Sequence, residues 1–154
     1  MVKLLIIADD FTGALDTGVQ FSACGADVRV MAGPEACTAS LPDCEVLVVN
    51  AETRHLPPEQ AYQTVAGIVA QARELAVPHI YKKTDSALRG NIGAELAALL
   101  EASGEPWLPF LPAFPQMGRV TRGGVHYIGD VPVAESVFGR DPFEPVRCSR
   151  VVEL

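Results

Sequence analysis

Five short stretches of the chain gather side chains that can do chemistry: Asp9-Asp10; Asn50 with Glu52, Thr53 and Arg54; Lys82-Lys83-Thr84-Asp85-Ser86; Arg89-Gly90-Asn91; and Pro112-Ala113-Phe114-Pro115 running on to Arg119. A guanidinium grips a carboxylate or a phosphate with two parallel hydrogen bonds, so Arg89 and Arg119 suit an anionic end of a ligand. Lys82 or Lys83 would add a point charge for the same anion. Carboxylates such as Asp10 and Asp85 accept hydrogen bonds from hydroxyls, and one of them can take a proton from an attacking hydroxyl. Gly90 and Gly93, near the start of a helix, would let an anion approach backbone amides at its positive end. A small polyhydroxy acid fits these parts. The same residues also have a plain reading as loop polarity and capping: Asp10 or Thr12 capping a first helix, Asn91 capping a third, and Arg89 pairing with Asp85 to hold a loop.

These groups need a frame that brings them together. Leu4–Ala8 and Val46–Asn50 are continuous apolar runs, as expected of strands buried on both faces. Val28–Ala32 is a further strand, Gly33–Asp43 a loop, and His79–Lys82 and Trp107–Leu111 complete five. Between them, Thr12 caps a helix over Gly13–Cys24 with Ala14, Leu15, Val19 and Ala23 inward and Gly25 at its stop. Pro57-Pro58 open a second helix, which Pro78 closes. Asn91 opens a third, with Ile92, Leu96, Leu99 and Leu100 on one face and Gly104 beyond. Alternation of strand and helix implies parallel pairing with right-handed crossovers. The expected fold class is α/β: an open, mainly parallel, Rossmann- or flavodoxin-like sheet with flanking helices. In such a sheet ligands bind beyond the carboxyl ends of the strands, where the polar stretches above fall. The tail adds a β-hairpin: Val125–Ile128, a Gly129-Asp130 turn, and Val131–Val133, with Pro132 marking an edge strand. We expect residues 1–118 to form the α/β domain and residues 119–154 to be a hairpin and extended tail of that domain.

With 154 residues, 49% hydrophobic and 20% charged, the chain has the composition of one globular domain. A net charge of −7 argues against a nucleic-acid partner. No apolar run approaches the ~18–20 residues of a membrane span. The first residues lead straight into a strand rather than a signal peptide, and the expected location is the cytoplasm. Cys24, Cys37, Cys44 and Cys148 have neither CxxC spacing nor a nearby His, and read as reduced thiols with no metal site. There is no GxxxxGK[ST] and no GxGxxG, so no nucleotide site is visible. His55, His79 and His126 have no partner pattern for nucleophilic catalysis and read as structural or exposed.

Leu5-Ile6-Ile7-Ala8-Asp9-Asp10-Phe11-Thr12-Gly13-Ala14-Leu15-Asp16 resembles the opening of the four-carbon acid sugar kinases. Lys82 through Asn91 resembles that family's second signature, Pro112 through Arg119 the third, and Gly124–Asp141 the hairpin and Asp-Pro stretch beyond. The match covers residues 3–147 in the right order. The resemblance implies the N-terminal, sugar-acid-binding domain of enzymes that phosphorylate threonate, erythronate or a 3-oxo-tetronate with ATP. By motif, Asp10, Lys82, Asp85, Arg89 and Arg119 are the substrate-side residues, with Asp9 and Asn91 behind them, and Asp10 is favoured over Asp85 to orient the reacting hydroxyl. The implied cofactors, ATP and Mg, belong to a C-terminal nucleotide-binding domain or a partner chain. The sequence stops at Leu154, so the chain by itself is expected to lack that half and to be inactive, with the exposed tail favouring a homo-oligomer.

Two rival readings have discriminators. A receiver domain shares the alternation and the early acidic pair, but needs an Asp where Asn50 stands and a Lys after the fifth strand, where Phe110-Leu111-Pro112 has none. A non-catalytic module that binds small hydroxy acids differs from an enzyme only in ATP turnover.

Overall fold

A computed structural model describes residues 1–34 and 43–154. Four parallel strands form the main sheet in the order β2-β3-β1-β4: β1 Leu4–Ala8, β2 Val28–Met31, β3 Val46–Asn50 and β4 His79–Lys83. Helix α1 (Phe11–Ala23) lies on one face, against Ile6, Ala8, Val46 and Val48. Helices α2 (Pro58–Glu74) and α3 (Ile92–Ser103) lie on the other, where Val65, Ile68, Val69, Ala98 and Leu99 meet Leu5, Ile7, Leu47 and Val49. β1 and β3 are covered on both sides, which is why their sequences are apolar throughout. No described helix is long and apolar enough to cross a membrane.

Asp10, not Thr12, caps α1: its Oδ1 accepts from the Gly13 amide at 2.8 Å. The helix turns Ala14, Thr17 and Gly18 inward, whereas Leu15 and Val19, expected on the buried face, are exposed. Small side chains let this helix lie close on the sheet and leave no room beneath it for the larger ones.

Trp107–Leu111, expected as a fifth strand, makes no ladder. Its alternation is present, since Leu108 and Phe110 pack inward while Trp107 and Leu111 stand 71% and 83% exposed. Pro106, Pro109 and Pro112 remove every third backbone donor, so the segment is extended without pairing.

The tail builds a second, antiparallel sheet, β5-β6-β7: β5 Arg119–Arg122, β6 Val125–Ile128 and β7 Val131–Pro132. The expected hairpin is its β6-β7 half, in register Ile128↔Val131 with Pro132 on the edge strand. β5 was not expected. It joins β6 through Gly123-Gly124, both left-handed, a two-residue turn whose twist matches that of the strands. Val133 and Val146 from the tail pack on Leu88 from the loop between β4 and α3. Cys24, Cys44 and Cys148 are free thiols, and Cys37 lies outside the described residues.

Candidate active site

Register makes the carboxyl edge level. Ala8 of β1 pairs with Asn50 of β3 on one side and with Lys83 of β4 on the other. Asp9-Asp10, the Glu52–Arg54 turn and the Thr84–Asn91 loop therefore leave the sheet at one height.

Arg54 is the hub. Its Nε donates to Asp9 Oδ2 at 2.7 Å and its Nη1 to Asp10 Oδ2 at 2.6 Å. Asp9 is 2% exposed and Arg54 8%. Burial acts to lower the Arg54 pKa, but the Asp9 hydrogen bond and the charges of Asp9, Asp10 and Asp85 carry it above the usual arginine value. Gly90 presses on this arginine. At φ +86° it sits in the left-handed region, and a Cβ there would stand 3.1 Å from Arg54 Cγ. The Asn91 amide donates to the Thr53 and Leu56 carbonyls at 2.9 and 2.8 Å, so it staples the turn that carries Arg54 instead of capping α3 with its side chain.

Arg89 does not reach toward Asp10. Its Nε donates to Asp85 Oδ2 at 2.7 Å, its Nη2 faces Oδ1 at 3.3 Å, and its Nη1 lies 3.7 Å from Asp141 Oδ2. Burial works to raise the Asp85 pKa, yet the Arg89 hydrogen bond, with the Arg89 and Arg54 charges, holds it below the usual carboxylate value. The Asp85 hydrogen bond, opposed by burial, raises that of Arg89. Leu88, between them, adopts a left-handed φ of 63° while its side chain is buried against Val133 and Val146; such strain persists where surrounding packing enforces it.

The two lysines divide. Lys82 lies on the α2–α3 face, its Nζ 2.6 Å from Glu95 Oε2 with both side chains 1% exposed. It is a buried ion pair within the core side of the site, not a group open to a ligand. Lys83 lies on the α1 face, where its Nζ donates to the Thr84 carbonyl at 2.6 Å and would stand 3.4 Å from a Cβ at Gly13, beside Asp10. Arg119 donates to Ser86 Oγ at 2.6 Å. Among the described residues neither Lys83 nor Arg119 is paired with a carboxylate. His126, fully buried, bonds Thr121 Oγ1 through Nδ1 at 2.9 Å and the Ser86 carbonyl through Nε2 at 2.8 Å, which makes Nε2 the protonated nitrogen and ties β6 to the site loop.

Asp9, Asp10, Asp85, Arg89 and Asn91 thus lie on the elements that leave this edge, Arg119 joins them through Ser86, and Lys82 stands behind them. Arg54, Lys83 and His126 join the site. Strand alternation puts Lys82 and Lys83 on opposite faces without telling which of them faces the site; Arg54 is 44 residues from Asp10 and had no signal beyond its place after β3. Gly93 offers no open cradle for an anion, because the backbone of Leu154 lies against it.

Comparison with known proteins gives the family of the chain. The family described as the sugar-binding N-terminal domain matches residues 4–154. The chain belongs to that family. As a sugar-binding N-terminal domain it is 40% identical over 154 residues to a D-threonate kinase of Salmonella typhimurium, covering 99% of this chain and 36% of the relative. It is 34% identical over 157 residues to a D-erythronate kinase of Heliobacterium modesticaldum, covering 100% and 36%. A crystal structure from Bordetella bronchiseptica, a domain-swapped dimer with bound citrate, superimposes with a TM-score of 0.90 at 38% identity, covering 98% of this chain and 39% of that one. The chain spans a little over a third of the length of the relatives it matches. The receiver reading is excluded by the family.

Proposed function

We propose that this domain binds a four-carbon sugar acid at the carboxyl edge of its sheet, as the substrate-holding part of an ATP-dependent sugar-acid kinase. The observation that carries the reading is the pair of cations without carboxylate partners, Lys83 and Arg119, set beside two arginine-held carboxylates, Asp10 and Asp85. Arg119 and Arg89 receive the acid's carboxylate. Asp10, whose side chain is 26% exposed, accepts a hydrogen bond from a substrate hydroxyl and orients it. Asp85, at 8% and with both oxygens facing Arg89, holds that arginine instead. Arg54 fixes the Asp10 carboxylate without touching the ligand, and Asp9 and Asn91 fix Arg54. Lys82 braces α3 through Glu95. The acid-binding kinases among the relatives support the substrate class.

The described residues do not fit ATP or Mg. No group of three His, Cys, Asp or Glu among them could hold a metal ion, and Asp9, Asp10 and Asp85 are each already paired with arginine. We assign ATP and Mg to that part of the kinase relatives which this chain does not match. We further propose that residues 1–118 and 119–154 act as one unit, that the domain works in the cytoplasm, and that it self-associates, the exposed Val137 and Phe143 of the tail supporting the last point.

Isothermal titration calorimetry with D-threonate and D-erythronate tests the reading. Saturable binding of at least one acid, weakened at least tenfold in Asp10→Asn, is the expected result. No binding of either acid by the folded chain overturns it.

A further inference from the structure

Phe138 stands against both arginines assigned to the acid. Arg89 Cζ lies over its ring at 5.2 Å from the centroid, and Arg119 Cζ at 5.1 Å. Arg89 is also anchored on Asp85 at 2.7 Å, with Asp141 3.7 Å away, and Arg119 on Ser86 Oγ at 2.6 Å. Asp85 and Ser86 are consecutive, so one loop and one ring place both cations on the rim.

The ring is itself held. It sits in a short helical turn, Val137–Arg140, where Ser136 Oγ accepts from the Phe138 amide at 3.2 Å and the Phe138 carbonyl accepts from the Val146 amide at 3.0 Å. Its side chain packs against the cluster of Leu88, Val133 and Val146. Two like charges held against one ring repel each other. The negative face of an aromatic ring offsets part of that repulsion, and a guanidinium lying over a ring keeps its N–H edges free for other acceptors.

We propose that Phe138 is a positioning residue that sets the Arg89 and Arg119 guanidiniums for the ligand's carboxylate. The proposal rests on the sugar-acid reading of the site. It gives the tail a task in recognition besides packing, because the ring that orients both cations comes from beyond the second sheet.

The test uses the chain with Phe138→Leu and Phe138→Tyr, titrated calorimetrically with D-threonate, while NMR follows the Nε–H resonances of Arg89 and Arg119. Phe138→Leu should bind D-threonate at least tenfold more weakly and move both arginine resonances, and Phe138→Tyr should return to within threefold of the wild type. Affinity within twofold in Phe138→Leu, an unmoved arginine resonance, or a Tyr variant no better than Leu overturns the proposal. If Phe138→Leu does not fold, pentafluorophenylalanine at this position keeps the ring's shape and reverses its quadrupole; the same loss is expected, and wild-type affinity there overturns the proposal. Where the wild-type chain binds D-erythronate and not D-threonate, D-erythronate replaces it in these titrations; a wild-type chain that binds neither acid overturns the reading of the site instead, and the arginine resonances still decide whether Phe138 sets the two guanidiniums.

Discussion

Lys82 and Lys83 follow one another in β4 and point to opposite faces of the sheet, Lys82 into an ion pair with Glu95 and Lys83 toward Gly13 and the α1 cap. The first is buried to 1% on both partners, where each charge depends on the other. Removing one partner strands the other without water. Glu95→Leu should therefore cost about 3–5 kcal/mol, while the double variant Lys82→Met with Glu95→Leu should recover most of it. Urea denaturation of the two single variants and the double settles this, and a double variant no more stable than the singles would contradict it.

Arg54 and Gly90 form one contact between the β3–α2 turn and the β4–α3 loop. Gly90→Ala places a residue at φ +86°, at a cost of about 1–2 kcal/mol, and pushes a methyl to 3.1 Å from Arg54 Cγ. Arg54→Ala leaves Asp9 buried without its partner, a loss of about 3–5 kcal/mol. Because both changes break the same contact, their effects should sum to less than the separate losses. Denaturation of the double variant checks this: full additivity would mean that Gly90 acts only through its own backbone.

Much of this frame was legible and part of it was not, for physical reasons. β1 and β3 are doubly covered, so their runs admit little else, and α2 shows its face at i, i+4 and i+7 spacing through Ala61, Val65 and Ile68. Trp107–Leu111 has the alternation of a strand, and only its prolines forbid the ladder. β5 was hidden by the mixed polarity of Arg119–Arg122, and its one local sign is the Gly123-Gly124 turn that follows it. Which lysine faces the ligand depends on which side of β4 receives α1, a matter of topology that no local pattern contains. Arg54 meets Asp9 and Asp10 across 45 and 44 residues.

Acid should unfold the domain through Asp85. Its folded pKa lies below the ordinary value of 3.8, because the hydrogen bond and charge of Arg89 outweigh burial. Protonation therefore favours the unfolded chain. The stabilisation is complete above the unfolded value and disappears as pH falls through the lower folded one. Thermal melts between pH 7 and 5 should show no loss assignable to this group, with the decline setting in below about pH 4. Asp85→Asn should be less stable at pH 7 and show a shallower decline in acid. An equally steep decline in that variant would assign it to other carboxylates.

The 154-residue chain should bind a sugar acid without consuming ATP. Among its described residues no cluster could hold a metal ion, and its sequence has no glycine-rich phosphate loop. A coupled ADP-release assay with D-threonate, D-erythronate and ATP should read background. Turnover above background, abolished by Asp10→Asn, would show that the nucleotide site is made by this chain.

Arg89 separates recognition from loop-holding most sharply. It grips Asp85 by two nitrogens, touches Asp141 and lies over Phe138, so its removal disturbs the loop whatever else it does. A lysine at this position can keep one ion pair with Asp85 but cannot offer two parallel N–H groups to a second carboxylate. Arg89→Lys should therefore keep the fold and weaken D-threonate binding by about 1.5–3 kcal/mol, the worth of a hydrogen bond to a charged group. That is roughly ten- to a hundredfold in affinity. If Arg89 serves only the loop, Arg89→Ala will lower the melting temperature while the folded fraction binds the acid as tightly as wild type. Calorimetry and thermal melts on the wild type and both variants decide the matter, since the melt of Arg89→Ala falls under either role and only a recognition role weakens the affinity of the folded fraction.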